Sequence, residues 1–422
     1  MYAIVILIGG KGTRVSKLLK NKSKPEIEIN KKRIIDYQLK QVSNLNKKII
    51  FLSNEKFESL KKYLEKKLKN KKYQIFEEKK PLGTAGCLKK LTKLNYKFFL
   101  IIDGDLIFNI NLKKLISFHI KRNSICTLLV HPNNHPYDSD CIDVNNDQSI
   151  KKFFFKPHNK ILINNLCMSG IKVVNNDSLQ IIKKNKFQDF SKNFLKRHKN
   201  KKKIFAYNTR EYVKDAGTPE RILQVKKDLN NIKYKKGNID KKIPAIFLDK
   251  DGVINYLDKS KHYQNSKKIL PDVVKALKII NESGYLCILV TNQPAVAKGV
   301  ITEKKLQTDL KILTAFLGKK KVYIDRIYYC PHHPEKGFKN ENKFYKKKCL
   351  CRKPNNGMFL KAIKELNIDI KNSYMIGDEF TDYIAAKKTK IKFIGIKKSK
   401  KIFFPKTVTC KKNLLNAIRH IF

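Results

Sequence analysis

Two short phosphate-handling signatures constrain the fold of this chain most, because each follows directly after an apolar run. Gly9-Gly-Lys-Gly-Thr-Arg14 follows the run at residues 3–8, and Asp249-Lys-Asp251-Gly-Val follows the run at residues 245–248. In an α/β sheet, catalytic loops stand beyond the carboxyl ends of the strands. We therefore predict two active sites on one polypeptide of 422 residues.

Strand-like and helix-like segments alternate through both halves, which predicts mostly parallel sheets covered by helices. Predicted strands are 48–53, 98–102, 127–131, 245–248, 286–290, 326–329, 374–376 and 392–396; predicted helices include 56–68, 112–121, 273–283 and 357–366. The polar segment 231–242 lacks periodicity and is the predicted linker. The fold class is α/β, with two Rossmann-like three-layer αβα domains at residues 1–230 and 243–422.

The net charge of +57 raises the question of nucleic-acid or membrane binding. However, 84 lysines are spread over every segment beside only nine arginines, so we expect neither partner. The nine cysteines do not suggest a disulfide framework, and no stretch approaches the roughly 20 apolar residues of a membrane helix. Three of the cysteines cluster with histidines, which indicates a metal site in a reducing compartment, so we expect a cytoplasmic protein. The apolar start lacks a basic leader and runs into a glycine-rich loop, so it is interpreted as a first strand and not as a signal peptide.

Several motifs of the first half occur in a diagnostic order. The glycine-rich loop is followed by Lys24-Pro25, Pro81-Leu-Gly-Thr-Ala-Gly86, Asp103-Gly-Asp105 and Asp215-Ala-Gly-Thr-Pro219. Backbone amides of such a loop can wrap a phosphate, and carboxylates from distant strands suit Mg²⁺. In this order the motifs resemble the sugar-1-phosphate nucleotidylyltransferases over residues 1–230.

That resemblance implies a role for each motif residue. The nucleoside triphosphate would be held by Gly9, Gly10, Gly12, Thr13 and Arg14. Lys24 would bridge its phosphates. The base would pack against Leu82, Gly83 and Thr84. Asp105 and Asp215 would hold Mg²⁺, Lys156 would contact the sugar phosphate, and the segment 135–140 would lie near the sugar. For Asp103, the alternative to a role in the site is that it only shapes a turn. Met168-Ser-Gly170 departs from the family pattern of Asn, a small residue and Gly.

Four motifs of the second half are similar to those of the haloacid-dehalogenase phosphatases: Asp249-Lys-Asp251, Thr291-Asn-Gln, Cys-Arg-Lys353-Pro and Gly377-Asp-Glu-Phe-Thr-Asp382. The resemblance implies that Asp249 is the nucleophile and Asp251 the general acid and base. It assigns phosphoryl binding to Thr291 and Lys353, with Asn292 and Arg352 as substrate-binding residues. Asp249, Asp251 and Asp378 form the magnesium set. Asp382 either joins this set, braces Lys353 or caps the next helix.

Between those motifs lie Cys330-Pro-His-His and Cys349-Leu-Cys351. Three thiols and one imidazole suit a closed structural Zn²⁺ site. The expected ligands are Cys330, His332, Cys349 and Cys351, with His333 as the competitor for the imidazole position.

Within the phosphatases, the zinc loop and its neighbours most resemble the heptose 1,7-bisphosphate 7-phosphatases, with histidinol-phosphate phosphatases as the alternative. The heptose 1-phosphate that the former release is a substrate class that nucleotidylyltransferases consume. The resemblance thus implies GDP-D-glycero-α-D-manno-heptose synthesis from GTP, with Mg²⁺ in both domains and Zn²⁺ in the second. Three alternatives remain. The transferase half could use another hexose 1-phosphate and another nucleoside triphosphate, or it could bind nucleotide without turnover. The whole chain could instead be a basic polyanion-binding protein built on an enzyme scaffold.

Overall fold

The computed structural model describes residues 1–9, 23–54, 58–69, 72–158, 164–198, 203–256, 268–397 and 404–422. They form two compact units. The first comprises Met1–His131, Ser139–Pro157 and Leu166–Asn238, and the second comprises Pro132–Asp138, His158–Asn165 and Ile239–Phe422.

The first unit is built on a mixed sheet. Its strands, with two short ribbons, are β1 (Tyr2–Leu7), β2 (Glu28–Ile29), β3 (Lys32–Arg33), β4 (Ile49–Asn54), β5 (Tyr73–Glu78), β6 (Phe98–Asp103), β7 (Leu106–Asn109), β8 (Cys126–His131), β9 (Cys141–Val144), β10 (Ile150–Phe154), β11 (Cys167–Asn175), β12 (Ile204–Asn208) and β13 (Tyr212–Asp215). Within the described residues the large sheet runs β10-β9-β11-β6-β1-β4-β5, and β8 joins β11 to β12.

Strand direction changes across this sheet. β5, β4, β1 and β6 are parallel, as predicted. β11 runs antiparallel to β6, β8 and β9, so a mostly parallel sheet was the wrong expectation for this side. Antiparallel neighbours need no crossover helix, and no α-helix separates β9 from β10. The centre of the sheet is apolar on both faces, since Ala3, Ile4, Val5 and Ile6 of β1 are fully buried.

Helices of the first unit cover both faces of the sheet. They are Ile34–Val42, Glu58–Lys67, Gly83–Gly86, Leu112–Lys121, Lys196–His198, Pro219–Asn230 and Ile232–Lys235. The helix Pro219–Asn230 shows how its sequence sets its start: Thr218 Oγ1 accepts the Arg221 N–H at 3.3 Å, and proline occupies the first helical position.

The second unit has a fully parallel six-stranded sheet, ordered β16-β15-β14-β17-β18-β19. Its strands are β14 (Ala245–Leu248), β15 (Leu286–Asn292), β16 (Arg326–Cys330), β17 (Tyr374–Gly377), β18 (Lys392–Ile396) and β19 (Thr409–Lys411), and its helices are Val273–Ser283, Glu303–Lys319, Gly357–Leu366, Phe380–Thr389 and Leu414–Ile421. The α/β class with Rossmann-like sheets is thereby confirmed. The carboxyl ends of β14, β15 and β17 bring three motifs to one edge.

Candidate functional sites

Three acidic side chains of the first unit stand where strands end. Asp103 is the last residue of β6, Asp215 is the last residue of β13, and Asp105 lies just before β7. β7 and β13 pair antiparallel with Leu106 opposite Asp215, and the Ala216 N–H donates to the Asp105 carbonyl at 2.8 Å. This pairing brings the backbones of the two predicted magnesium ligands side by side.

Each of these carboxylates faces a cation. Lys24 Nζ lies 2.7 Å from Asp105 Oδ2 and Arg221 Nη1 lies 2.7 Å from Asp215 Oδ1. The ammonium of Lys172, a buried residue, lies 2.7 Å from Asp103 Oδ1. Lys172 and Arg221 escaped the sequence analysis because no motif marks them.

Burial raises the pKa of Asp103, and the Lys172 ammonium opposes that rise. Gly170, at φ +87°, abuts the same carboxylate: a Cβ there would stand 2.6 Å from Asp103 Oδ2. The segment Met168-Ser-Gly170, where the chain departs from the family pattern, therefore lies against the Asp103 carboxylate.

The base loop, which we define as Leu82–Gly86, is fastened to residues 188–190. The Gln188 carbonyl accepts the Ala85 N–H at 2.9 Å, and the Gln188 N–H donates to the Leu82 carbonyl at 2.8 Å. Thr84 Oγ1 accepts the Phe190 N–H at 2.9 Å. At Gly83, φ is +76° and a Cβ would stand 2.5 Å from the Gln188 carbonyl oxygen, so only glycine fits.

The remaining predicted residues of this half divide into two groups. Gly10, Gly12, Thr13 and Arg14 lie outside the described residues, whereas Gly9 follows β1 at the carboxyl edge of the sheet. Lys156 is held at its backbone, where its N–H donates to Asp140 Oδ1 at 2.9 Å. Asp140 Oδ2 in turn accepts from Ser191 Oγ at 2.6 Å.

The Lys353 ammonium lies at the centre of the second site and contacts three acceptors. It lies 2.6 Å from Asp249 Oδ1 and 2.6 Å from Asp382 Oδ1, and it donates to the Val290 carbonyl at 3.1 Å. Burial raises the pKa of Asp249 to about 6; Lys353 opposes that rise, and Asp382 adds to it. Burial alone would lower the pKa of Lys353, but the two carboxylates hold it above the usual lysine value.

Asp251 points to a different set of partners. Its Oδ1 lies 2.5 Å from Lys250 Nζ, and its Oδ2 accepts from Gln293 Nε2 at 2.7 Å. The same Gln293 amide donates to Thr291 Oγ1 at 3.0 Å. Gln293 thus orients the predicted acid and the predicted phosphoryl-binding hydroxyl together, a role that the sequence analysis missed.

Oxygen atoms of Asp249, Asp378 and Asp382 lie within 4.8 Å of one another, and the three residues are buried. Asp251 is not in this group of described residues. Gly252 makes room for Asp378: its φ is +95°, and a Cβ would stand 1.9 Å from Asp378 Oδ2. Carboxylate oxygens are the donors that Mg²⁺ prefers, so this set fits a magnesium ion. Asp382 also braces Lys353, and its Oδ2 accepts the Glu379 N–H at 3.1 Å.

The loop that carries Lys353 is tied to the end of β15. The Asn292 side chain donates to the Lys353 carbonyl at 3.0 Å and accepts the Lys353 N–H at 3.0 Å. Arg352 Nη1 donates to the His332 carbonyl at 3.1 Å. In the structure, Asn292 and Arg352 therefore hold the protein's own backbone at this loop.

The four expected zinc ligands converge. The Sγ atom of Cys330 lies 3.5 Å from that of Cys349 and 3.2 Å from that of Cys351, and Cys351 Sγ lies 3.3 Å from His332 Nδ1. All four donor atoms lie within 4.8 Å of one another, which is a set compatible with a closed tetrahedral zinc site. His333 points elsewhere: its Nε2 lies 3.7 Å from Glu335 Oε2.

In the described part of the chain, no helix combines the length and the apolar character needed to cross a bilayer.

Comparison with known proteins finds one family in each half. The Nucleotidyl transferase family matches residues 3–232, and the HAD-hydrolase-like family matches residues 350–401. The D-glycero-beta-D-manno-heptose-1,7-bisphosphate 7-phosphatase of Haemophilus ducreyi is 42% identical over 149 residues, which is 35% of this chain and 79% of that protein. The enzyme of the same name from Vibrio cholerae is 41% identical over 143 residues, 34% of this chain and 75% of that protein.

Among solved structures, HddC from Yersinia pseudotuberculosis has a TM-score of 0.47 and 24% identity, covering 54% of this chain and 100% of that one. The family match spans more than half of the chain, and the phosphatase relatives are matched over three quarters of their length. The chain belongs to the nucleotidyl transferase family through its first half and to the heptose-1,7-bisphosphate 7-phosphatase family through its second half.

Proposed function

We propose that the chain makes a nucleotide-activated heptose in two steps. Residues 243–422 remove the 7-phosphate of D-glycero-D-manno-heptose 1,7-bisphosphate, and residues 1–230 transfer GMP from GTP to the resulting heptose 1-phosphate, with 231–242 as the linker. The observation that carries the proposal is the convergence of Asp249, Lys353 and Asp378 in a chain related to heptose bisphosphatases. The phosphatase product is then the substrate of the attached transferase.

The phosphatase step uses Asp249 as nucleophile. Its carboxylate oxygen attacks the 7-phosphorus, and the bond from phosphorus to O7 breaks while Asp251 donates a proton to O7. Water, deprotonated by Asp251, then hydrolyses the aspartyl-phosphate and releases inorganic phosphate. Gln293 keeps Asp251 oriented for both proton transfers. Lys353 and Thr291 stabilise the charge on the transferred phosphoryl group.

The transferase step requires no covalent intermediate. A phosphate oxygen of heptose 1-phosphate attacks the α-phosphorus of the triphosphate in line, and pyrophosphate leaves. Lys24, at the carboxyl edge of the sheet, neutralises triphosphate charge once it exchanges its partner Asp105 for the nucleotide. Lys156 contacts the sugar phosphate.

Metal ions would complete both sites. Asp105 and Asp215 would hold Mg²⁺ in the first, and Asp249 and Asp378 would hold it in the second, with Asp251 as a predicted member. Bound Mg²⁺ would offset the negative charge that gathers on phosphoryl oxygens. Cys330, His332, Cys349 and Cys351 would hold a structural Zn²⁺.

The anomer and the base are the finer parts of the proposal. The sequence analysis predicts the α-anomer, whereas the names of the phosphatase relatives specify the β-anomer of the bisphosphate. Those names therefore give the α-anomer no support, and the test must supply both anomers.

The test incubates the protein with Mg²⁺, either anomer of the heptose bisphosphate and each nucleoside triphosphate in turn, with products followed by mass spectrometry. We expect GDP-heptose, phosphate and pyrophosphate. Asp249→Asn should abolish phosphate release and spare pyrophosphate release from heptose 1-phosphate, and Asp105→Ala should do the reverse. Each variant is the control for the other; loss of both reactions in either one would refute the assignment of two separate sites.

A further inference from the structure

Two segments of the second unit come from within the transferase half of the sequence. They are 132–138 and 158–165, and of the latter the structure describes residues 158, 164 and 165. The first lies between β8 and β9, and the second lies between β10 and β11. β11 runs antiparallel to both β6 and β8, so β8 ends and β11 begins at the carboxyl edge of β6. Both segments therefore leave the sheet at the edge where α/β sheets bind their ligands.

These segments flank the residues that are predicted to meet the sugar phosphate. The predicted contacts are the segment 135–140 and Lys156. Asp140 links them, because its Oδ1 accepts the Lys156 N–H at 2.9 Å. Lys156 comes two residues before His158, and Asp140 comes two residues after Asp138. The predicted sugar contacts are thus covalently continuous with both segments.

The two segments are bonded to each other. The Asn133 N–H donates to Asn165 Oδ1 at 3.1 Å, and Asn165 Nδ2 donates back to the Asn133 carbonyl at 2.7 Å. Asn133 Oδ1 also accepts the His135 N–H at 2.9 Å. Both asparagines are buried, and buried amides with satisfied hydrogen bonds hold a loop in one conformation. Movement of one segment would therefore disturb the other.

The helix Glu303–Lys319 holds this pair of segments. Thr314 Oγ1 accepts the Asn165 N–H at 3.3 Å. One turn later, a Cβ at Gly318 would stand 2.4 Å from Pro136 Cγ and 3.0 Å from Asn165 Nδ2. Glycine weakens a helix relative to alanine, so the close approach of this buried proline ring explains why glycine stands here. The helix thus presents a hydroxyl and a gap in its side-chain surface where the segments pack.

We propose that Thr314 and Gly318 are positioning residues for nucleotidyl transfer: the helix Glu303–Lys319 holds the segments that flank Lys156 and so sets the affinity for the sugar 1-phosphate. This inference rests on the proposed function. A loop that is fixed before the ligand arrives does not have to be ordered on binding, which favours binding. The base loop is fastened to residues 188–190 instead, so the effect should be confined to the sugar phosphate.

The helix offers a matched pair of threonines. The hydroxyls of Thr314 and Thr308 each donate to a carbonyl of the preceding turn, at 2.7 Å and 2.9 Å. Thr308 is exposed, whereas Thr314 also accepts the Asn165 N–H. Thr314→Val removes that acceptor and keeps the shape, and Thr308→Val is its control. A second perturbation is Gly318→Ala, combined with Pro136→Ala to remove the Cγ atom that the new Cβ would meet.

Pyrophosphate release is measured at varied heptose 1-phosphate and at varied GTP. Thr314→Val should raise KM for heptose 1-phosphate about 2- to 10-fold, the effect of one lost hydrogen bond, and leave KM for GTP unchanged. Gly318→Ala should raise it about 10-fold or more, and Pro136→Ala in the same chain should recover part of that loss. Thr308→Val should change neither KM. Unchanged phosphate release from the bisphosphate shows that each variant is folded.

Hydrogen exchange followed by mass spectrometry tests the anchoring directly. Peptides that contain Asn133 and Asn165 should exchange faster in Thr314→Val and Gly318→Ala than in the parent protein, and at the parent rate in Thr308→Val. Faster exchange with an unchanged KM for heptose 1-phosphate would overturn the positioning role. Unchanged exchange in both variants would overturn the anchoring itself.

Failure of the proposed function has a different signature. A parent protein that releases no pyrophosphate with any sugar 1-phosphate would refute the transferase activity, and the positioning role with it. A parent protein that transfers to a sugar 1-phosphate, with KM values that Thr314→Val and Gly318→Ala leave unchanged, would refute the positioning role alone.

Discussion

Replacing Lys353 with methionine should destabilise the second unit strongly. The Lys353 side chain is 3% exposed, and its ammonium lies 2.6 Å from each of two carboxylates, on the side chains of Asp249 (10% exposed) and Asp382 (1% exposed). Methionine fills similar volume but leaves both acids buried without a cation. Breaking a buried ion pair in this way costs about 3–5 kcal/mol of unfolding free energy. For a unit of this size, the midpoint of thermal unfolding should fall by about 6–20 °C.

Differential scanning calorimetry at pH 8 measures this effect in a chain that has no tryptophan. Nucleotidyl transfer by the variant should be retained, since the change lies in the other unit. The double variant Lys353→Met, Asp382→Asn should recover part of the loss, because it removes one of the two orphaned charges while an amide oxygen can still accept the Glu379 N–H.

The loss of unfolding free energy caused by Lys353→Met should also be smaller at lower pH. Burial raises the pKa of Asp249, and in the variant no Lys353 ammonium opposes that rise, so the folded variant binds protons more tightly than the unfolded one. Its unfolding free energy therefore rises as pH falls through the raised pKa of Asp249 toward about 4. A midpoint within about 2 °C of the parent at pH 8, or an equal shift at pH 5 and pH 8, would refute this reasoning.

Three further predictions concern single side chains. Gly252→Ala should lower phosphate release at least about 10²-fold in a phosphatase assay, because a Cβ would stand 1.9 Å from Asp378 Oδ2 at a backbone φ of +95°; a near-normal rate would contradict this. Cys349→Ser should release zinc to a chromogenic chelator and reduce phosphatase activity while sparing nucleotidyl transfer, and full zinc retention would count against the Cys₃His set. Lys172→Met should slow pyrophosphate release by about 10-fold or more, since burial then opposes the ionised form of Asp103 without a counter-charge; phosphate release is the control, and unchanged transfer would remove Lys172 from the site.

Much of the second unit could be predicted from the sequence because its signals are local. β14, β18 and the helices Val273–Ser283 and Gly357–Leu366 have the predicted bounds. Where an apolar run is followed by a motif, the motif marks the carboxyl end of a parallel strand. Parallel strands have their carboxyl ends at the same edge of the sheet, so the motifs meet there. The juxtaposition of Asp249 and Asp378 follows from that rule.

The rest depends on long-range packing. Only the structure shows that β11 joins β6 from the opposite direction. Lys172 is one of 84 lysines, and its burial against Asp103 has no local signature. The roles of Asp382 stayed open because its bond to Lys353 depends on tertiary placement.

The hydrogen bonds and ion pairs that fix Lys353 also affect how tightly the phosphatase site binds phosphate. Asn292 fixes both backbone groups of this residue, and three acceptors fix its ammonium. A mobile lysine loses about 1.5–2 kcal/mol of rotamer entropy when a ligand immobilises it. Here that freedom is already lost on folding, so an incoming phosphate meets a cation that needs no further ordering. The difference corresponds to about 10- to 30-fold in phosphate affinity relative to an unrestrained lysine at the same point.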